Sequence, residues 1–208
     1  MRRISNLLFL QFQTVLALKK YMALIIFMGI FLGAVNPQMI TFSGALFIMA
    51  TCYSTAFYEE KSKVNYLIYS LPVKPKEYIL SRYIFVAINT MIATIISSVL
   101  YTGLISLNIV TINEIGSLRS LIYTMIAIGV FMMAILIPLE LILGFEKGRI
   151  AIVFLAVFPM VFSTELMKYL PNINFGILIV KVLVVLCIFT LILASYFITS
   201  NIYDKKDI

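Results

Sequence analysis

Apolar residues along this chain come in long blocks, and the polar positions collect between them. Residues 39–58 and 83–107 contain no charged side chain, and residues 121–145 contain one, Glu140. A helix needs about 20 mostly apolar residues to cross the ~30 Å hydrocarbon of a bilayer, so these three blocks predict membrane-spanning helices. A further block, residues 21–35, is shorter and stops at Asn36-Pro37. It is expected to recruit the preceding turn back through Leu16, with Lys19 and Lys20 snorkelling outward. Residues 176–197 are long enough and carry only Lys181, whereas residues 150–162 are short and contain Pro159, which predicts a bent span or a re-entrant one. The expected fold is all-α: a polytopic membrane protein with six transmembrane helices in one domain over residues 1–208. In a five-span alternative the fifth block turns back.

The period of the pattern changes at two places. Near the N terminus, Ile4, Leu7, Leu8, Phe12, Val15 and Leu18 approximate one helical face, with Arg3, Asn6 and Gln13 elsewhere on the wheel. That predicts an interfacial helix before the first span, with a plain extension of that span as the alternative. No small-residue cleavage site ends this stretch, so it does not read as a signal peptide. Between the second and third blocks, Val64, Leu67, Ile68 and Leu71 follow the i, i+3, i+4, i+7 spacing of one helix face, with Ser62 as a candidate N-cap. Pro72 ends that helix, and Pro75 opens another that runs through Glu77, Tyr78 and Ile79 into the third span. The product is a short helix, a rigid Pro-x-x-Pro elbow and a membrane helix in series, a part able to transmit a push. A helix resting on the lipid surface, with its lysines on anionic headgroups, explains the same pattern.

Composition confirms the solvent. With 62% hydrophobic and 12% charged residues and a mean hydropathy of +1.08, the chain is more apolar than a soluble core of its size could bury. The net charge of +7 then reads as topology and not as a nucleic-acid surface. Thirteen of the 16 basic residues fall on one side of a six-span arrangement with both termini cytoplasmic, leaving Arg119 and Lys168 outside and Lys181 within a span. There is no histidine, and Cys52 and Cys187 both sit in apolar runs, so neither a structural disulfide nor a metal site is expected. Without H-E-x-x-H or a second intramembrane acid near Glu140, membrane protease or phosphatase chemistry lacks parts. An ion-driven carrier would need a relay, and Glu140 and Lys181 lie toward opposite ends of their spans. A sensor or anchor remains open as well.

Three further features are candidates. Thr90, Thr94, Ser98 and Thr102 recur every fourth residue, with Asn89 and Ser97 beside them. This small-polar stripe serves close helix packing or lines a route for an amphipathic substrate. Glu140 is an intramembrane acid near a helix end; it marks a functional site, or pairs with Lys147 or Arg149, or caps backbone beyond Pro138. Lys181 reads as a snorkelling residue.

The densest charge lies in "EEKSKVNYLIYSLPVKPKEYILSRY", residues 59–83. This stretch resembles the loop between the second and third spans of small bacterial ABC-transporter permeases of the type-2 exporter class. The shared pattern is an acidic end to the second span (Glu59-Glu60), a coupling helix (64–71), a Ser-Leu-Pro turn (Ser70-Leu71-Pro72) and a basic start to the third span (Arg82). "IPLELILGFEKGRI", residues 137–150, resembles the family's fourth-span end, so the likeness covers essentially the whole chain. Within the class, small size and the lack of an external domain look most like phenol-soluble modulin exporters or antimicrobial-peptide immunity pumps. The resemblance implies a permease subunit in a bacterial cell membrane, paired with an identical or homologous permease and with two copies of a cytoplasmic ATPase. The substrate it implies is an amphipathic peptide. ATP and Mg would be held by that ATPase, consistent with the absence of G-x-x-x-x-G-K-[ST] here. The coupling surface would comprise Glu59, Glu60, Lys63, Val64, Leu67, Ile68, Leu71, Pro72 and Pro75, with the acids at its rim.

Overall fold

The computed structural model describes residues 2–35, 39–61, 75–107, 118–144, 147–148 and 178–204, and among these every regular element is helical. In chain order the helices are α1 (Arg2–Ala17), α2 (Lys19–Val35), α3 (Met39–Lys61), α4 (Pro75–Ser106), α5 (Leu118–Phe131), a π-helical segment (Met132–Leu136), α6 (Ile137–Leu143) and α7 (Leu178–Asp204). Four runs are long and apolar enough to cross a membrane, and a fifth is reached if the bent pair α1 and α2 counts as one broken span. The six-span expectation therefore stands at four to five among the described residues. The fifth apolar block, 150–162, and the predicted helix 64–71 both lie outside them.

Local chemistry accounts for most of the boundaries. α4 begins at Pro75, where a fixed φ and a missing N–H suit the first helical position. Its 32 residues span about 48 Å, well beyond the hydrocarbon, so its first turns lie outside the span proper. The fourth run ends at Leu143, short of the predicted Phe145, because Gly144 adopts φ +78° and its N–H closes onto the Glu140 carbonyl at 3.0 Å. Only glycine takes that left-handed cap cheaply.

One boundary departs from expectation. The first span does not recruit the turn back to Leu16; the helix breaks at Leu18, and α1 and α2 meet at 70°. The Leu18 N–H bonds the Val15 carbonyl at 3.0 Å, and the Leu18 carbonyl accepts from Met22 at 3.0 Å to start α2. What bends the chain is packing: α1 lies against α4 and α3, burying Leu7 and Gln11 and setting the Phe12 ring edge-on to Phe85, centroids 5.1 Å apart. The predicted face of α1 is the packed one, with Asn6 and Gln13 exposed.

The chain forms two compact units, Met1–Met132 and Met133–Ile208. In the first, α2, α3, α4 and α5 pack in sequence-adjacent pairs, with α3 also touching α5. A cluster of Ile40, Tyr101, Leu104, Leu121 and Met125 is buried. Close approach depends on small residues. A Cβ built on Gly44 would sit 2.5 Å from Ser97 Oγ and 2.7 Å from Met125 Cε, and one on Gly129 would collide with Thr90. Large apolar side chains such as Phe27, Phe31, Met91, Ile95 and Val99 are exposed instead, as a lipid-facing surface requires.

In the second unit α6 packs on α7. The π segment precedes Pro138, whose missing N–H deprives the Ala134 carbonyl of its i+4 partner. The Ser195 hydroxyl of α7 fills that place, 2.9 Å from Ala134 O and 3.3 Å from Met133 O. Side-chain hydroxyls and π adjustments are how membrane helices tolerate proline.

Two substitutions test the packing. Gly129→Val should cost about 1–3 kcal/mol by overpacking against Thr90, read as a lower melting temperature in detergent. Gly103→Ala, with nothing within 4 Å of the new carbon, should be neutral or stabilising, because alanine is the better helix former.

Candidate functional site: a buried clamp at the base of the charged loop

Residues 62–74 leave α3 at Lys61 and return at Pro75, and the two flanking helix ends are joined by charge. Glu59, in the last turn of α3, and Arg82, two turns into α4, form an ion pair through Oε2 and Nη2, with side chains only 8% and 5% exposed. The same Glu59 oxygen accepts the Tyr78 hydroxyl at 2.5 Å, and Arg82 Nη1 donates to Thr55 Oγ1 at 2.7 Å. The guanidinium lies 5.8 Å from the Tyr78 ring centre, within cation–π range. Thr55 in turn donates to the Cys52 carbonyl at 2.8 Å. Helical spacing makes this possible: Thr55 and Glu59 are four apart on α3, as are Tyr78 and Arg82 on α4, so each helix presents two groups from adjacent turns.

A third helix joins. Gln11 of α1, 1% exposed, donates from Nε2 to Ser81 Oγ at 3.3 Å, and Ser81 donates to the Tyr78 carbonyl at 2.6 Å. Hydrogen bonds thus run from α1 through α4 to α3 in one buried layer. Taking two charges out of water costs several kcal/mol per ion, and the pair recovers this only with good geometry and added hydrogen bonds. Tyr78 and Thr55 supply those bonds.

The predicted coupling residues divide accordingly. Glu59 points inward to Arg82 instead of standing at a rim. Glu60 is half-buried, with an Oε2 that has no hydrogen-bond partner among the described residues. Pro75 heads α4. Lys63, Val64, Leu67, Ile68, Leu71 and Pro72 lie outside the described residues. Arg82, read from sequence as a basic start to the third span, is neutralised by Glu59.

Along α4 the predicted stripe runs from buried to exposed. Thr90 is buried against Gly129, Thr94 and Ser98 are half-buried, and Thr102 is exposed. Each hydroxyl bonds a carbonyl one turn back in its own helix: Thr90 to Val86 at 2.8 Å, Thr94 to Thr90 at 2.7 Å, Ser98 to Thr94 at 2.7 Å and Thr102 to Ser98 at 3.0 Å. Glu140 is half-buried on α6, and Lys181 falls in the first turn of α7. Along α4 the stripe begins eight residues beyond Arg82 of the clamp, and Glu140 belongs to the second unit.

Sequence reasoning missed Tyr78, Thr55, Ser81 and Gln11 as parts of the site. Gln11 did carry a signal: a polar residue set on the apolar face of α1 beside Leu7, Phe12 and Val15 needs a buried partner.

In comparison with known proteins, residues 6–204 match the model of a family described as ABC-2 family transporter protein. No curated protein and no solved structure matches the chain.

Removing one partner of the clamp leaves a buried charge, so Glu59→Ala or Arg82→Ala should each cost about 3–5 kcal/mol. The double variant Glu59→Ala with Arg82→Ala should cost much less than the two single effects added. A double-mutant cycle on detergent melting temperatures checks this; additive losses would show that the pair is not coupled.

Proposed function

As this chain belongs to the ABC-2 transporter family, a multi-pass permease subunit served by an ATPase partner, we propose that its transporter exports amphipathic or antimicrobial peptides from a bacterial cell and so confers self-immunity. The functional unit is a dimer of this permease with an identical or homologous one, driven by two copies of a separate cytoplasmic ATPase that holds ATP and Mg. Both termini face the cytoplasm of a bacterial plasma membrane.

The observation that carries the mechanism is the Glu59–Arg82–Tyr78 clamp. Breaking such a buried pair costs about 3–5 kcal/mol, so a force applied to the intervening loop moves the ends of α3 and α4 together before it separates them. Closure of the two ATPases displaces the 64–71 helix, which presents Val64, Leu67, Ile68 and Leu71 to a groove on the ATPase, with Glu60 and Lys63 at its edge. The elbow from Pro72 to Pro75 passes that displacement into α4, a continuous helix of 32 residues, and tilts it. The dimer interface opens outward, and substrate moves along the face of α4 carrying Thr90, Thr94, Ser98 and Thr102; Glu140 is a separate candidate for contact with substrate. The back-bonded hydroxyls of that face suit the proposal: they are already satisfied, so an apolar peptide face can pass without leaving polar atoms stranded. The peptide class is supported by the resemblance of the loop and of the fourth-span end to peptide-exporter permeases.

The test starts with affinity purification of the tagged chain from native membranes. A P-loop ATPase should co-purify in stoichiometric amount, and its hydrolysis should rise with added amphipathic peptide. Replacing Leu67 and Ile68 with Asp should abolish that stimulation and peptide export while the protein still inserts. A chain that purifies alone would return the loop to a lipid-surface role and reopen ion-driven transport or sensing.

A further inference from the structure

The π segment Met132–Leu136 stands immediately before Pro138 and within reach of Ser195, and the three together form a device that the transport scheme above does not use. In i→i+5 register the Ile137 N–H is directed to the Met132 carbonyl, not to that of Met133. Pro138 has no N–H to give Ala134. Pro138 is thus the missing donor for the Met133 carbonyl in i→i+5 register and for the Ala134 carbonyl in i→i+4 register, and one hydroxyl, Ser195 Oγ, lies 3.3 Å from the first and 2.9 Å from the second. A serine carries a single proton and can serve one carbonyl well at a time. If the segment relaxed to α register, Ile137 would satisfy Met133, and Ser195 would be needed at Ala134 alone. The hydroxyl thus fits both registers.

We infer that Met132–Leu136 is a register switch in the fourth span, and that Ser195 is the positioning residue that stabilises it in both states. Conversion between the registers rotates the residues on one side of the segment about the helix axis, relative to those on the other, by about 100°, one residue's turn. Glu140, two residues beyond Pro138, is carried with that rotation. A single half-buried carboxylate in this run is thereby given two orientations without any break in the helix. Pro138 keeps the device poised, since without it both carbonyls would find backbone donors and the α register would win outright.

The purified chain and its complex with the ATPase test this. Ser195→Ala should lower the detergent melting temperature by about 2 °C, and Ser195→Thr, which keeps the hydroxyl, should retain it. Pro138→Ala supplies the missing N–H, so Ser195→Ala should cost nothing in that background; equal losses in both backgrounds would overturn the latch. Amide exchange at Leu136 and Ile137 should be at least tenfold faster in the parent chain than in Pro138→Ala, and equal rates would overturn the switch. In the complex, Pro138→Ala should be as stable as the parent or more so, yet export peptide at least fivefold more slowly; normal export would make the segment a static accommodation of proline. The switch is linked to export through the transport reading. Were no ATPase to co-purify, that reading would fall alone, because melting and exchange read the switch without it.

Discussion

In hydrocarbon no water completes a hydrogen bond, so each polar atom must find its partner inside the protein or cost several kcal/mol. That constraint explains where this chain's hydroxyls go. Ser43 bonds Ile40 O, Thr51 bonds Ile48 O and Thr199 bonds Ser195 O, each within its own helix at 2.7–2.9 Å. Such bonds make a polar side chain nearly apolar in effect and let the helix face pack closely, as Ser97 and Thr90 do over Gly44 and Gly129. Where a group cannot satisfy itself, the fold brings another helix to it. Arg82 and Glu59 need each other, Gln11 needs Ser81, and the carbonyl bared by Pro138 needs Ser195.

These two solutions differ mechanically. A hydroxyl bonded to its own helix constrains nothing beyond that helix, whereas a bond between helices ties their motions. The described inter-helix bonds are concentrated in two places: the α1–α3–α4 layer at the loop base, and the contact between α7 and the π segment. Elsewhere the first unit is held by apolar and small-residue packing, which resists separation but permits sliding along the contact. A membrane gains little from burying one apolar surface against another, since lipid is as apolar as leucine. The polar ties therefore decide which helices move as one.

The sequence showed the parts of this scheme more clearly than their assembly. Pro75 announced the start of α4 because proline constrains its own residue, and the long apolar runs announced α3, α4 and the fourth span because length alone selects them. A separate helix before the first span could be read from its apolar face, but its 70° bend at Leu18 could not, because that bend is imposed by Leu7, Gln11 and Phe12 packing on a helix some seventy positions away, at Ser81 and Phe85. Glu59 and Arg82 were conspicuous as charges, yet they read as a rim and a basic entrance, since one sequence does not reveal which charges face inward. Pro138 was visible as a helix disturbance. The hydroxyl that meets the bared Ala134 carbonyl comes from Ser195, 61 positions beyond that residue.

The placement of the two ties also constrains how force can be used. In the proposed scheme a push on the loop would reach α4 at its first turns, where the clamp joins it to α3, and α4 is unbroken from Pro75 to Ser106. The helix therefore acts as a stiff lever. The fourth span is divided differently: α5 ends at Phe131, and a π segment separates it from α6. Its register is held by one shared hydroxyl, worth on the order of 1 kcal/mol in a membrane, against about 3–5 kcal/mol to break the clamp. Of two elements under one load, the weaker yields first. In the proposed scheme the base of the loop would stay intact under load, whereas the register at Met132–Leu136 is the easier of the two to change.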